Sequence, residues 1–199
     1  MQQGSGTTFF VADRFGNPNS ALALNGGWTY VPSGVFFNTI QFTITAWIYP
    51  QNIGFWSRLI DFGNGQTTDN VLLAFDAGNN TKPSFGVYSG GVIISQVISS
   101  QTISLNQWQF LSATYDGSTI KIYINGALTA SSIFAYTPLS TMTRTKNYIG
   151  KSNWNLDSVS SAYIDDLRFY NIRLSQTQIQ NLMNQADTSS SYLSCNPGI

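Results

Sequence analysis

Apolar and polar residues alternate with a period of two along most of this chain, the spacing a β-strand imposes. Gln41–Tyr49 is the clearest case. Phe42, Ile44, Ala46 and Ile48 fall on one side, and Thr43, Thr45, Trp47 and Tyr49 on the other, with Pro50 expected to end the strand. Thr8–Ala12, Ser20–Leu24, Trp28–Val31, Arg58–Phe62, Val71–Phe75, Ser84–Tyr88, Val92–Ile98, Ala127–Ser132 and Lys146–Gly150 read as further short strands. Trp108–Tyr115 is apolar on both parities, which predicts a central strand covered on both faces. Asp116-Gly117 and Asn125-Gly126 are hairpin turns bracketing Thr119–Ile124. Within it Ile120, Ile122 and Ile124 face one way, Lys121 and Tyr123 the other.

The period changes once. Tyr163, Asp165, Leu167 and Phe169 alternate with Ala162, Ile164, Asp166 and Arg168, and the strand then runs into a helix. Ser175 and Gln178 form a capping box, Leu174 can staple onto Ile179, and Ile179, Leu182, Met183 and Ala186 make one apolar stripe. The helix is expected from Ser175 to Gln185. Short strands separated by turns, one helix and no fixed repeat predict an all-β sandwich or barrel over residues 1–186, followed by a polar tail, 187–199.

Composition narrows the function. Only 9% of the 199 residues are charged, nine basic against nine acidic, so no basic stripe exists to neutralise phosphates and nucleic acid is not an expected partner. There is no His and no Glu, which excludes Ser-His-Asp and Cys-His devices and His-ligated zinc within the chain. Acid–base chemistry would rest on Asp pairs alone, and an enzyme is not expected. Cys195 is the only cysteine. No run of 18 apolar residues predicts a membrane span, and Met1–Gly4 has no signal-peptide character, so the chain carries no visible address of its own. Asn79-Asn80-Thr81 is an N-glycosylation sequon in the loop Asp76–Pro83.

FTITAWIYP at 42–50, the run from Trp108 to Ala113-Thr114-Tyr115-Asp116-Gly117, IKIYINGAL at 120–128, NYIGKS at 147–152 and IDDLRFYNIRLSQTQI at 164–179 form an ordered set. Together they resemble the laminin G-like jelly roll of the concanavalin A-like lectin/glucanase superfamily, from about residue 12 to 185. The resemblance implies a two-sheet antiparallel β-sandwich (jelly roll) with one short C-terminal helix; Ile120, Ile122, Ile124, Leu167 and Phe169 are then expected to be buried between the sheets. The glucanase branch carries Glu-x-Asp-x-x-Glu, and this chain has no Glu. The resemblance therefore implies a non-catalytic binding module, extracellular or at the cell surface, for glycan or glycosylated partners. The alternative is a structural or adhesive protein–protein module.

Two aromatic–polar clusters in predicted loops are the candidate ligand site: Phe55 with Trp56, and Trp154 with Asn153, Asn155 and Asp157. A Trp offers a flat face to a sugar ring while Asn and Asp fix its hydroxyls; equally, such aromatics fold back as lids over the sandwich ends. Trp47, Tyr49 and Tyr123 either line an open sheet face or are half-buried sheet residues. The resemblance also implies calcium at two places. Asp69 stands where related domains place a rim ligand, although the accompanying segment Ser140–Thr143 offers no Asp or Asn. Asp165 stands where β-glucanases place a structural-calcium ligand. It shares parity with Tyr163, Leu167 and Phe169, so its charge needs a partner, either a cation caged by carbonyls of the Asp13–Asn19 loop, or the N–H groups of that loop or Arg14.

Overall fold

The computed structural model describes residues 6–134, 139 and 141–185. Ser140 of the rim segment and the tail with Cys195 lie outside the described residues. The strands are β1 (Thr7–Val11), β2 (Ala21–Asn25), β3 (Thr29–Val31), β4 (Gly34–Val35), β5 (Phe42–Asn52), β6 (Arg58–Gly63), β7 (Val71–Ala74), β8 (Ser84–Ser89) and β9 (Val92–Ile98). They continue as β10 (Gln109–Tyr115), β11 (Thr119–Ile124), β12 (Ala127–Ile133), β13 (Thr143–Arg144), β14 (Lys146–Ile149) and β15 (Ser161–Tyr170), before helix α1 (Gln176–Met183). One sheet has seven strands in the order β1-β2-β15-β5-β10-β11-β12, the other six in the order β3-β14-β6-β7-β8-β9, and β13 pairs with β4. All pairings between the named strands are antiparallel. This is the two-sheet jelly roll expected from the sequence.

The alternating apolar positions meet between the sheets. Ile44, Ile48, Leu111, Ala113, Ile120 and Ile122 from one sheet and Leu59, Phe62, Val71, Leu73, Phe85 and Val87 from the other form one core. Phe42 and Tyr115 stack inside it at 5.1 Å, an arrangement that adds about 0.5–1.5 kcal/mol beyond area burial. Every residue of β10 is buried, as its lack of alternation predicts: its inner face meets the core, and the outer face at Phe110 lies under α1. Asn125 and Gly126 both have positive φ, 50° and 73°, as a two-residue primed turn requires. Ser175 caps α1 with the reciprocal Gln178 contacts of a capping box, and Leu174 and Ile179 bury together against Phe110 and Tyr123.

Two expectations fail for local reasons. Pro50 does not end β5, which continues to Asn52. The Pro50 carbonyl accepts from Asn106 N at 2.7 Å, so this residue turns its donorless nitrogen toward the loop before β10 and not toward β15. In β15 the regular alternation breaks at a bulge between Asp165 and Arg168, with Asp166 at φ 48°. Before the bulge Ala162 and Ile164 point into the core and Tyr163 and Asp165 point out; after it Leu167 points in. Asp165 therefore lies on the outer face, and Phe169 is 43% exposed at an edge beside Phe37 and Phe62, instead of buried between the sheets.

Candidate functional site

The outer face of the six-stranded sheet carries a pocket of about 170 Å³. Its floor follows from strand parity. Val71 and Leu73 of β7 and Phe85 and Val87 of β8 point into the core, which turns Leu72 and Tyr88 outward, and Gln96 lies opposite Gly86 on the same face. Two loops make the wall. β14 and β6 are antiparallel neighbours with Ile149 opposite Ile60, so the loop that leaves β14 and the loop that enters β6 meet at the same end of the sheet. Ser158 N donates to the Phe55 carbonyl at 2.9 Å, and Ser160 Oγ to the Arg58 carbonyl at 2.6 Å, fastening the two loops together. Trp56 comes from one loop and Trp154 with Asp157 from the other.

Arg58 organises the pocket. Its guanidinium lies between the two indoles, 5.3 Å from the Trp56 ring and 5.5 Å from the Trp154 ring. It donates to the Trp56 carbonyl at 2.9 Å and to Asp157 Oδ2 at 3.0 Å, and Nε lies 3.9 Å from Asp61 Oδ2. Desolvation pulls the Arg58 pKa down while Asp61 and Asp157 oppose it. Asp61 is fully buried. It accepts from Asn70 Nδ2 at 2.8 Å and from Asn153 N and Nδ2, both at 2.9 Å, yet burial still holds its carboxyl above the ordinary range. Burial also pushes up Asp157, against the Ser152 hydroxyl bond at 2.7 Å and Arg58. One cation thus faces two carboxylates in a site walled by rings, with Tyr88 5.6 Å from Trp154.

Trp56 is held in an unusual backbone state. Its φ is 50°, a region that costs a non-glycine residue on the order of 1 kcal/mol or more. Asp76 holds it there: one carboxylate accepts from the backbone N–H groups of Trp56, Gly78, Asn79, Asn80 and Thr81 at 2.7–3.1 Å. Gly78, at φ 91°, brings this loop so close that a Cβ there would lie 3.4 Å from Trp56 Nε1. Burial raises the Asp76 carboxyl, but the donors from Asn79, Asn80, Thr81 and Trp56 outweigh it and leave its pKa below the ordinary 3.8.

Three of the six candidate ligand residues, Trp56, Trp154 and Asp157, line the pocket. Asn153 sits beneath it and spends its amide on Asp61. Phe55 is exposed and packs edge-on against Trp56 at 6.4 Å, outside the lining; Asn155 is exposed on the loop beyond. Arg58, Tyr88 and Gln96 were not among the sequence candidates. Tyr88 and Gln96 were legible as polar or aromatic residues on the outward parity of predicted strands. Arg58 was hidden by sharing parity with Ile60 and Phe62, a regularity that the bulge between Arg58 and Ile60 removes.

Arginine stands at both calcium positions. The Asp165 carboxylate accepts from Arg14 Nη1, and Arg14 Nη2 reaches Asp166 at 3.1 Å. At the rim, Asp69 Oδ1 accepts from Gly90 N at 2.7 Å, while its carbonyl accepts from Arg144 Nε at 2.9 Å; Arg144 also donates to the Phe36 carbonyl. Calcium takes six to eight oxygens. Here Arg14 engages the Asp165 carboxylate, Arg144 engages the Asp69 and Phe36 carbonyls, and among the described residues no group of three or more His, Cys, Asp or Glu converges. At Asp165 the carboxylate is matched by an arginine, which a calcium ion would have to displace. A chelator is therefore expected to leave the melting temperature unchanged, whereas Asp165→Asn lowers it by leaving Arg14 half-paired; a chelator-induced fall of several degrees would restore the calcium assignment.

The molecule is thus a two-sheet antiparallel jelly roll with an aromatic-walled polar pocket on one face. Residues 24–180 match the family described as the concanavalin A-like lectin/glucanases superfamily, and the chain belongs to it. No match was found among curated protein sequences. Domain 4 of AbnA, an extracellular arabinanase of Geobacillus stearothermophilus solved with arabinotriose, is 21% identical and superposes with a TM-score of 0.68 over 89% of this chain and 82% of that one. The binding domain of Paraclostridial Mosquitocidal Protein 1 is 17% identical, TM-score 0.63, over 92% of this chain but 46% of that one. A Trypanosoma rangeli sialidase is 19% identical, TM-score 0.60, over 88% of this chain and 29% of that one. At these identities the likeness is one of fold, and the chain spans under half of the latter two proteins.

Proposed function

We propose that this domain is a non-catalytic carbohydrate-binding module that seats a neutral sugar ring in the Trp56–Trp154 pocket. The observation that carries this is the Arg58 guanidinium held between two indoles and bonded to Asp157. It fixes two ring faces and a carboxylate around one opening, and its charge is already balanced by Asp157 and Asp61. Among the described residues that line the pocket, no second cation is present to attract an acidic sugar. The same balance supports a non-catalytic reading, because both carboxylates near the opening are engaged with Arg58. Indole and phenol faces would meet the C–H face of a sugar, while Asp157, Gln96 and the Tyr88 hydroxyl address its hydroxyls. About 170 Å³ is below the roughly 300–1,000 Å³ of drug-sized sites, so a single ring fits and the rest of a chain would run over the rim. AbnA domain 4, solved with arabinotriose, makes arabinose-containing glycans the first to test.

The neutral polar composition and the exposed sequon at Asn79 support an extracellular or cell-surface setting. Among the described residues no helix is long and apolar enough to cross a membrane.

Screening wild type and Trp154→Ala on a glycan array tests the assignment. The wild type should retain neutral glycans and the variant should lose at least tenfold in affinity. Because Trp154 is half-buried, its removal should cost about 1–2 kcal/mol, less than the ~3–5 kcal/mol of a fully buried aromatic. Unchanged binding, or a stability loss at the upper value, would make the residue a lid and the domain a spacer. Acid should weaken binding before it loosens the loop. Asp157 takes up its proton above the ordinary 3.8, removing the acceptor, whereas Asp76 does so below it.

A further inference from the structure

The outer face of the seven-stranded sheet is covered by α1 only in part. Past the helix end, an open groove of about 410 Å³ lies between Phe15, Trp47 and Trp108, with Arg14 on one side and Asn184 and Gln185 on the other. That volume is within the range of sites for multi-ring ligands. A row of rings continues from it across neighbouring strands: Trp108 meets Tyr49 at 5.6 Å, and Tyr49 stacks on Tyr163 at 5.3 Å. Gln51 Nε2 bonds the Tyr163 hydroxyl at 3.1 Å at the far end of the row.

Charge decides what suits this surface. Arg14 pairs with Asp165 and Asp166, and Arg168 pairs with Asp166 at 3.1 Å, while the neighbouring Asp13 carboxylate accepts from Phe15 N and Asn17 N, so both guanidinium groups are already engaged by carboxylates and the groove holds no excess of positive charge. What the groove offers a ligand is ring surface bordered by amides and a phenol. An extended peptide seated there would find few partners for its backbone N–H groups beyond the Asn184 and Gln185 amides, whereas a saccharide presents C–H faces to rings and hydroxyls to amides along its whole length. We propose that this groove is a second carbohydrate site, for an extended neutral glycan chain. It lies on the sheet opposite the Trp56–Trp154 pocket, so that one domain can engage two chains or two stretches of one chain.

Affinity electrophoresis through gels containing arabinan, mixed-linkage β-glucan or mannan tests this with wild type, Trp108→Ala, Phe15→Ser, Trp154→Ala and the Trp108→Ala/Trp154→Ala double variant. Wild type should be retarded in at least one gel. Trp108→Ala and Phe15→Ser should each weaken retardation severalfold, Trp108→Phe should restore it, and only the double variant should migrate as in a plain gel. Phe15 is 46% exposed, so its replacement keeps the test valid if Trp108→Ala does not fold. Normal retardation of folded Trp108→Ala and Phe15→Ser, with loss in Trp154→Ala alone, would overturn the second site and leave the first. No retardation of any protein would overturn both. A groove that gains retardation only when residues 186–199 are removed, or a Trp108→Ala change that alters self-association instead, would assign it to the tail or to a second copy and overturn the proposal.

Discussion

Replacing Arg58 by Met is expected to cost about 3–5 kcal/mol of stability and to abolish sugar binding. Arg58 is 3% exposed, and removal of its guanidinium would leave Asp61 as an uncompensated charge at the centre of the sheet face, the situation in which breaking a buried pair is most damaging. It would also free Trp56 and Trp154 from the group between them. Urea denaturation at neutral pH reads the effect as a lower midpoint with an unchanged slope. The Arg58→Met/Asp61→Asn double variant should recover part of the loss, since the more deeply buried of the two carboxylates is then neutral while Asp157 keeps its Ser152 bond. If Arg58→Met lowers the unfolding free energy by less than about 1 kcal/mol, the guanidinium is not what holds this site.

Asp76→Ala should be nearly as severe. Five backbone N–H groups lose their acceptor at once, among them that of Trp56 in its left-handed conformation. Hydrogen bonds to a charged group are worth about 1.5–3 kcal/mol each but are far from additive, so a total of about 3 kcal/mol is expected. The linkage has a definite sign. The folded pKa of Asp76 is depressed, so its contribution is fully present above the ordinary 3.8 and is lost as pH falls through the lower folded value. Melting curves across the acid range should show wild type losing stability below pH 3.8 faster than Asp76→Ala. Parallel acid profiles would place the acid sensitivity elsewhere.

The fold was written in the sequence because period-two alternation and turn residues act locally. The isoleucines of β11, the Asn125-Gly126 turn and the capping box at Ser175 each sit where their pattern placed them. What escaped were the bulges. An extra residue between Asp165 and Arg168 moved Asp165 to the outer face, and one between Arg58 and Ile60 concealed Arg58, because a bulge shifts parity without leaving a composition mark. Trp56, Trp154 and Asp157 could be picked as aromatic–polar loop residues. Their meeting depends on β14 lying beside β6, a pairing across more than eighty residues that no local pattern encodes.

The central claim is that Trp56 and Trp154 together grip a sugar. Five tryptophans give five indole N–H signals in a ¹⁵N correlation spectrum, assignable by single Trp→Phe substitutions. Titration with arabinotriose, and then with whichever neutral glycan the array retains, should move the Trp56 and Trp154 signals together along one saturation curve. The Trp28 signal should stay in place. If saturating glycan leaves the Trp56 and Trp154 signals where they were, the pocket is not the binding site.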